Sequence, residues 1–242
     1  MRVLFLSDIH IHPDHPSPAE HFCDFLDNVK VDKLVFLGDL FDFWWSTGTP
    51  PALFEAVLQA LERCKERGVE LLWLAGNHDF DLRRWSAFQA VVERCPAELK
   101  LGGSRVRVIH GDEILEQGSY LRWRAFFQGR LFCWLMDCLG QCAWRVAQRL
   151  SNYHPESRSI SAQLLQQQRE WSATQDADVI VMGHSHHCGE ELAAGRQIYW
   201  LGDWSHHRSG LLWEAGKWSL CTGFDSGHSI CTLRAIDSDQ PS

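Results

Sequence analysis

The 242-residue sequence predicts an α/β fold, and three observations carry that prediction. Short continuous apolar runs recur along the chain, and each ends in a Gly or Ser turn with polar residues directly behind it. Amphipathic stretches separate several of these runs. The composition, 45% hydrophobic and 22% charged, is that of an ordinary globular chain with enough apolar surface for a sizeable core. Runs of Val, Leu and Ile without polar alternation read as strands buried on both faces. Strands alternating with helices argue for an α/β fold.

The elements follow in order. Arg2–Leu6 leads into Ser-Asp-Ile-His, and Leu34–Leu37 into Gly-Asp-Leu-Phe-Asp. Leu71–Leu74 leads into Ala-Gly-Asn-His-Asp, and Val106–Ile109 into His-Gly-Asp-Glu. Val179–Met182 leads into Gly-His-Ser-His-His, and Ile198–Leu201 into Gly-Asp-Trp-Ser-His-His. Residues 18–30, 52–67 and 81–93 read as helices, the second opened by Pro50-Pro51 and the third followed by Pro96. In the last third, Gln197–Leu201, Leu211–Trp213, Lys217–Thr222 and Ser229–Ala235 are short strand-like runs punctuated by Gly, as in hairpins, and predict a mixed second sheet. One stretch breaks the pattern. Residues from Tyr120 to about Trp171 are dense in Trp, Phe and Leu and predict an inserted helical lid, at about 115–172, within a single domain spanning 1–242. From Tyr120 to Leu150 that stretch holds five Arg (Arg122, Arg124, Arg130, Arg145, Arg149) against Asp137 alone.

The net charge of −8 argues against a nucleic-acid partner. The nine Cys include no Cys-x-x-Cys pair, so a thiolate zinc site is not expected, and reduced thiols suit a cytoplasmic protein. MRVLFLSDIH lacks the features of a signal peptide, and no run of about 20 apolar residues offers a membrane span. Nothing points to an obligate protein partner.

Ligands in α/β folds bind beyond the carboxyl ends of the strands. The polar clusters sit at those ends, which places Asp8, His10, Asp39, Asn77, His110, His184 and His186 along one rim. Five motifs carry them: Asp8-x-His10, Gly38-Asp39-x-x-Asp42, Gly76-Asn77-His78-Asp79, His110-Gly111-Asp112 and Gly183-His184-x-His186. Singly, each is weak, since Asp8 or Asp39 could be a turn residue and His110 a core histidine. Together their imidazole, carboxylate and amide groups make a two-metal inventory suited to phosphoester chemistry. Two divalent ions about 3.5–4 Å apart acidify water and clamp phosphate oxygens. The mixed donor set suits two divalent ions, Mn best, with Fe, Co or Zn also compatible. Glycines at the strand ends let the backbone turn sharply. His12, His15, His21, His154, His206, His207 and His228 read as surface or loop residues, and His187 as a neighbour of the site that need not be a ligand.

These motifs resemble the calcineurin-like metallophosphoesterases. The resemblance implies an αββα sandwich of two sheets. It implies that Asp8, His10, Asp39 and His186 hold one metal, that Asp39 bridges, and that Asn77, His110 and His184 hold the other. It makes His78 catalytic, protonating the leaving group or stabilising phosphate charge, with Asp79 orienting its imidazole and a bridging hydroxide as nucleophile.

Gly-Asp-Leu-Phe-Asp-Phe-Trp, Gly-Asn-His-Asp-Phe, Tyr199-Trp-Leu-Gly-Asp-Trp204 and the basic aromatic insertion together resemble the UDP-2,3-diacylglucosamine diphosphatase (hydrolase) family of lipid A biosynthesis. That likeness implies hydrolysis of UDP-2,3-diacylglucosamine to UMP and 2,3-diacylglucosamine 1-phosphate. It makes Asn77, His78, His184, Trp44, Arg122 and Arg124 the expected substrate contacts. Arg suits a diphosphate, and a basic, aromatic helical face suits an anionic membrane surface, here the cytoplasmic face of the inner membrane. The family's best-known members carry Gly-Asn-Arg-Asp where this chain has Gly76-Asn77-His78-Asp79. The alternative is a related branch acting on another nucleotide-linked lipid, a nucleotide diphosphate or a phosphoprotein. A nuclease and a non-catalytic scaffold on the same fold are the remaining alternatives. The first sits poorly with the net charge, and the second has no need of a complete donor set.

Overall fold

The structure, a computed structural model, describes residues 1–44, 50–79, 92–93, 95–114, 130–139, 142 and 162–224. Strands β1 (Arg2–Leu6), β2 (Lys33–Phe36), β3 (Glu70–Leu74) and β4 (Val92–Glu93) run parallel, with α1 (Pro16–Asn28) and α2 (Ala52–Glu66) as the described crossovers. A hairpin of β10 (Gly210–Glu214) and β11 (Lys217–Cys221) extends this sheet to the order β11-β10-β1-β2-β3-β4. The second sheet comprises β5 (Ala97–Leu101), β6 (Ser104–Ile109), β7 (Val179–Met182), β8 (Gly189–Ala193) and β9 (Arg196–Trp200), in the order β5-β6-β7-β9-β8. Two further helices are α3 (Arg130–Leu139) and α4 (Ala162–Thr174).

The two-residue period of a strand decides the layers. Val3, Phe5, Val35, Leu37, Leu72 and Leu74 share one apolar cluster with Val106, Val108, Val179, Val181, Tyr199 and Leu201 of the second sheet. Their alternates Leu4, Leu6, Leu34, Phe36, Leu71 and Trp73 pack on the other face. There they meet Phe22, Phe25 and Leu26 of α1 and Phe54, Val57, Leu58 and Leu61 of α2, both spaced at the helical period. On the outer face of the second sheet, Ile180, Met182, Ile198 and Trp200 meet Leu165 and Trp171 of α4. The result is the expected sandwich: helices, sheet, sheet, helix.

Three sequence expectations change. The β10–β11 hairpin joins the first sheet, antiparallel to β1, rather than the second. Its alternation explains this: Leu211 and Trp213 enter the inter-sheet core while Leu212 faces the helix layer. Val92–Glu93 pairs with β3 as a strand and does not end a helix; the rest of 81–93 lies outside the described residues, as does Ser229–Ala235. The stretch read as a lid ends in α4, which belongs to the sandwich. Gln168 of α4 is fully buried and accepts the Trp200 indole N–H at 2.9 Å. The described part of the insertion is α3, with Cys142. Among the described residues, no helix is long and apolar enough to cross a membrane.

Candidate metal centre

Every motif falls on a loop leaving the carboxyl end of a strand. Ladder bonding continues past the strands and holds these loops side by side. The His10 N–H donates to the Asp39 carbonyl at 3.0 Å, and the Gly183 N–H to the His110 carbonyl at 2.9 Å. Asp8, His10, Asp39, His184 and His186 all adopt positive φ, between +50° and +64°. Each such residue costs roughly 1–3 kcal/mol and persists only where its surroundings over-determine it. Asp and His are among the non-glycine residues that tolerate this region best. Five strained residues on one rim therefore mark a functional cluster.

The glycines act in two ways. Gly38 and Gly111 do have positive φ, as a turn requires. Gly76 and Gly183 do not; they are needed for space. A Cβ on Gly76 would lie 2.2 Å from an Asp39 carboxylate oxygen, and one on Gly183 would lie 1.9 Å from the Ser7 hydroxyl.

Asp8 and Asp39 are built alike. Each is buried, and each ties one oxygen to a backbone amide of another motif. Asp8 Oδ2 accepts the His184 N–H at 2.9 Å and the Ser7 hydroxyl at 2.6 Å. Asp39 Oδ1 accepts the His78 N–H at 2.8 Å. The other oxygen of each is buried without a hydrogen bond, as are His10 Nε2 and His186 Nε2. These orphaned atoms converge. Asp8 Oδ1 lies 3.4 Å from His186 Nε2 and 3.7 Å from His10 Nε2. Asp39 Oδ2 lies 3.4 Å from His110 Nε2 and 3.8 Å from His10 Nε2. Donors each about 2.1 Å from a common ion lie roughly 3.0–3.5 Å apart, so the donors sit near coordination distance of one another. Asp8, His10 and His186 form one group and Asp39, His110 and His184 another, and His10, Asp39 and His78 converge between them. Asn77 Oδ1 joins the second, 3.0 Å from His110 Nε2. Asp39 faces both groups, through His10 on one side and His110 on the other. The donor set fits two divalent cations with a shared carboxylate.

Groups behind the ligands set the imidazole tautomers. His110 Nδ1 donates to the Leu37 carbonyl at 2.6 Å, which leaves its Nε2 for a metal. Asp42 Oδ1 stands 3.7 Å behind His10 Nδ1, and Asp203 Oδ2 stands 3.4 Å behind His186 Nδ1. The motifs alone do not single out Ser7, Asp42 or Asp203 for these supporting places. Asp203 was visible in principle, because Leu201-Gly202-Asp203 repeats the pattern of a strand followed by Gly-Asp.

The electrostatics agree with a cation site. Burial opposes the charged form of Asp8 and Asp39, yet the surrounding imidazoles hold both carboxyls well below the usual range. Burial also opposes the charge on His110 and His186. Asp39 nevertheless holds His110 well above its ordinary value, and Asp203 and Asp8 push His186 up to about 9. Carboxylates and imidazoles that each favour the other's charged form make a site in which a divalent cation can take the place of the imidazole protons.

Two expected contacts lie elsewhere. Asp79 does not orient the His78 ring. Its Oδ2 accepts the Asp39 N–H at 2.8 Å, the Gly76 N–H at 3.0 Å and the Trp73 indole at 3.3 Å, so it braces two motif loops from behind. Burial, with Asp39 nearby, raises its carboxyl to about 6. The Asp42 carbonyl takes His78 Nδ1 instead. Trp44, expected at the substrate, is 2% exposed and packs on Phe41 at 5.0 Å and Phe54 at 6.5 Å, so it belongs to the core under α2. Its ring gains more from burial against other rings than from an open rim. Arg122 and Arg124 lie outside the described residues.

Strand-end loops carrying two donor groups joined by one carboxylate now stand beside a sequence match. Residues 1–188 match the calcineurin-like phosphoesterase family. The chain belongs to that family. Calcineurin-like phosphoesterases use divalent metals, and the two donor groups are where this member can hold them. The chain is similar to UDP-2,3-diacylglucosamine hydrolases. It is 33% identical over 155 residues to that of Vibrio cholerae serotype O1, a match spanning 62% of this chain and 63% of the Vibrio protein. It is 30% identical to that of Stenotrophomonas maltophilia, over 92% of this chain and 98% of that protein. A solved archaeal phosphodiesterase aligns over 92% of the chain at 12% identity with a TM-score of 0.49.

Burial drives the His78 imidazole down, to about 4. It is therefore neutral in the free protein, and an anionic phosphoryl group beside it would favour its charged form. His78→Ala is expected to lower kcat by about 10²–10⁴-fold, the range for a lost proton-transfer or charge-stabilising group. Metal content by elemental analysis is expected to stay at the wild-type level. Loss of both metals would instead make His78 structural.

Proposed function

We propose that the chain is a two-metal phosphoester hydrolase whose substrate is UDP-2,3-diacylglucosamine, cleaved to UMP and 2,3-diacylglucosamine 1-phosphate. The observation that carries the hydrolase reading is the pair of donor groups with Asp39 between them, facing His10 on one side and His110 on the other. Bound divalent metals, Mn best, supply Lewis acidity that acidifies water and draws charge from phosphoryl oxygens. The protein's own part is to present Asp8, His10, His186, Asp39, Asn77, His110 and His184 at fixed spacing. His78 meets the charge that develops on the phosphate. Water adds across one P–O–P bond, and its proton leaves to solvent.

The names of the relatives and the surface of α3 support a lipid-linked substrate. Leu131, Trp134, Leu135 and Leu139 are 73%, 60%, 48% and 41% exposed. They repeat at the helical period and so form one apolar stripe. Large exposed apolar groups in a row mark a binding surface more often than chance placement does. In this reading the stripe meets acyl chains or the anionic inner-membrane surface, with Arg122 and Arg124 at the diphosphate and the protein on the cytoplasmic side. Leu131→Ser combined with Trp134→Ser is expected to raise KM for the lipid roughly tenfold or more, since each buried apolar side chain contributes about 1.5–3 kcal/mol. Turnover of a soluble aryl phosphodiester should not change.

The deciding test is product analysis with Mn²⁺-loaded protein on UDP-2,3-diacylglucosamine in detergent, beside the aryl diester. Release of UMP supports the assignment. Hydrolysis of the aryl ester alone would favour the second reading, a related branch with another nucleotide-linked or phosphorylated substrate. The specific observation for that reading is His78, which stands where the lipid family's best-known members have Arg.

A further inference from the structure

We propose that Asp203 is a positioning residue that holds His186 for the metal, so that a loop beyond the family-matched residues completes the first donor group. The inference rests on the metal-centre reading above. The family match ends at residue 188, whereas Asp203 lies on the loop after β9. Asp203 is 5% exposed, and its Oδ2 faces His186 Nδ1 at 3.4 Å, on the side of the ring away from Asp8. An imidazole that ligates through Nε2 must carry its proton on Nδ1. A carboxylate behind Nδ1 fixes that tautomer, sets the ring plane and makes Nε2 a stronger donor.

The same loop also reaches Asp8. The Trp204 N–H donates to the Asp8 carbonyl at 3.0 Å. The indole of Trp204 is 2% exposed, with Phe22 at 5.1 Å, Phe25 at 5.2 Å and Phe224 at 5.9 Å from its ring. That aromatic anchor fixes the height of the loop, and with it both the carboxylate behind His186 and the amide under Asp8. Asp203 Oδ1 is used locally: it accepts the His206 N–H at 2.6 Å and the Ser205 hydroxyl at 3.0 Å. His206 Nδ1 lies 3.0 Å from both carboxylate oxygens, so Oδ2 stands between the exposed imidazole of His206 and the ligand His186.

The test is titration of metal-free protein with Co²⁺, followed by the visible absorption of the bound ion. Wild type is expected to take up two equivalents. Asp203→Ala should weaken one equivalent by about 10–100-fold, the usual effect of removing an outer-shell partner, and alter its band positions while the other equivalent stays tight. Asp203→Asn should fall between, because its amide oxygen still accepts the Nδ1 proton without adding charge. His206→Ala takes away the exposed imidazole beside Oδ2 but leaves the carboxylate facing His186, so both equivalents should stay tight. Two unchanged equivalents in Asp203→Ala would overturn the proposal. So would a His206→Ala variant as weak as Asp203→Ala, which would assign the effect to the shape of the loop. Equal weakening of both equivalents with a lowered melting temperature would make Asp203 structural. Wild type that binds no Co²⁺ would overturn the metal-centre reading itself, a result distinct from the others.

Discussion

Asp39→Asn is expected to give a folded protein with at most one bound metal and activity on an aryl phosphodiester reduced by at least about 10³-fold, or ~4 kcal/mol of transition-state stabilisation. Asp39 is fully buried, and its Oδ2 faces His10 on one side and His110 on the other. An amide at that place points N–H groups at both metal positions and removes the charge that bridges them. Oδ1 is a different matter. It accepts the His78 N–H, and the Asn carbonyl can do the same. Asn also tolerates the left-handed backbone at φ +54°. The fold therefore has little reason to fail. Metal-free stability is expected to fall modestly, because the Asp39 carboxylate pairs with the buried His110 imidazole and its charged form is favoured in the fold. Elemental analysis after dialysis and thermal melts with and without chelator check this. The drop in melting temperature on chelation should shrink in the variant. A variant that keeps two metals and wild-type turnover would show that Asp39 does not bridge.

That experiment works on a residue the sequence exposes easily, and the reason is physical. A ligand on a strand-end loop follows a strand buried on both faces. Such strands are unbroken apolar runs: β1, β2, β3, β6 and β7 all stand out, with a motif directly behind each. β5 carries no such signal because it alternates, Ala97 and Leu101 buried with Glu98 and Lys100 exposed, as expected of a strand at the edge of a sheet. β8 alternates in the same way. β4 is two residues long, and its pairing with β3 defines it, so no local pattern could reveal it. Trp44 misled because an aromatic after a ligand reads equally well as a binding platform or as core. Only the positions of Phe41 and Phe54 decide between them. The bracing by Asp79 and Asp203 is likewise a matter of tertiary contact. Type and position were legible in the sequence; the direction of each carboxylate was not.

Gly183→Ala is the second large expected effect, and it isolates packing from backbone strain. Gly183 has no positive φ, so an Ala there is free to keep the backbone conformation. The added methyl, however, falls 1.9 Å from Ser7 Oγ and 2.6 Å from Asp8 Oδ2. Ser7 and Asp8 are both 1% exposed and so have nowhere to retreat. Overpacking of this kind costs about 1–3 kcal/mol. Relief of the clash moves Asp8 Oδ2 off the His184 amide and carries Oδ1 away from His10 and His186. Metal affinity should therefore fall along with melting temperature. Gly103→Ala supplies the contrast. Nothing lies within 4 Å of its Cβ, but its φ is +88°. It should cost about 1 kcal/mol through the backbone alone and leave metal content and turnover unchanged. Ser7→Gly combined with Gly183→Ala removes the nearest clashing atom and leaves Asp8 Oδ2 at 2.6 Å, so the two substitutions should couple strongly. The double variant should regain stability but only part of its metal affinity, because Ser7 also holds Asp8 through the 2.6 Å hydrogen bond. If Gly183→Ala binds two metals as tightly as wild type, the close approach of Gly183 to Asp8 does not position the ligand.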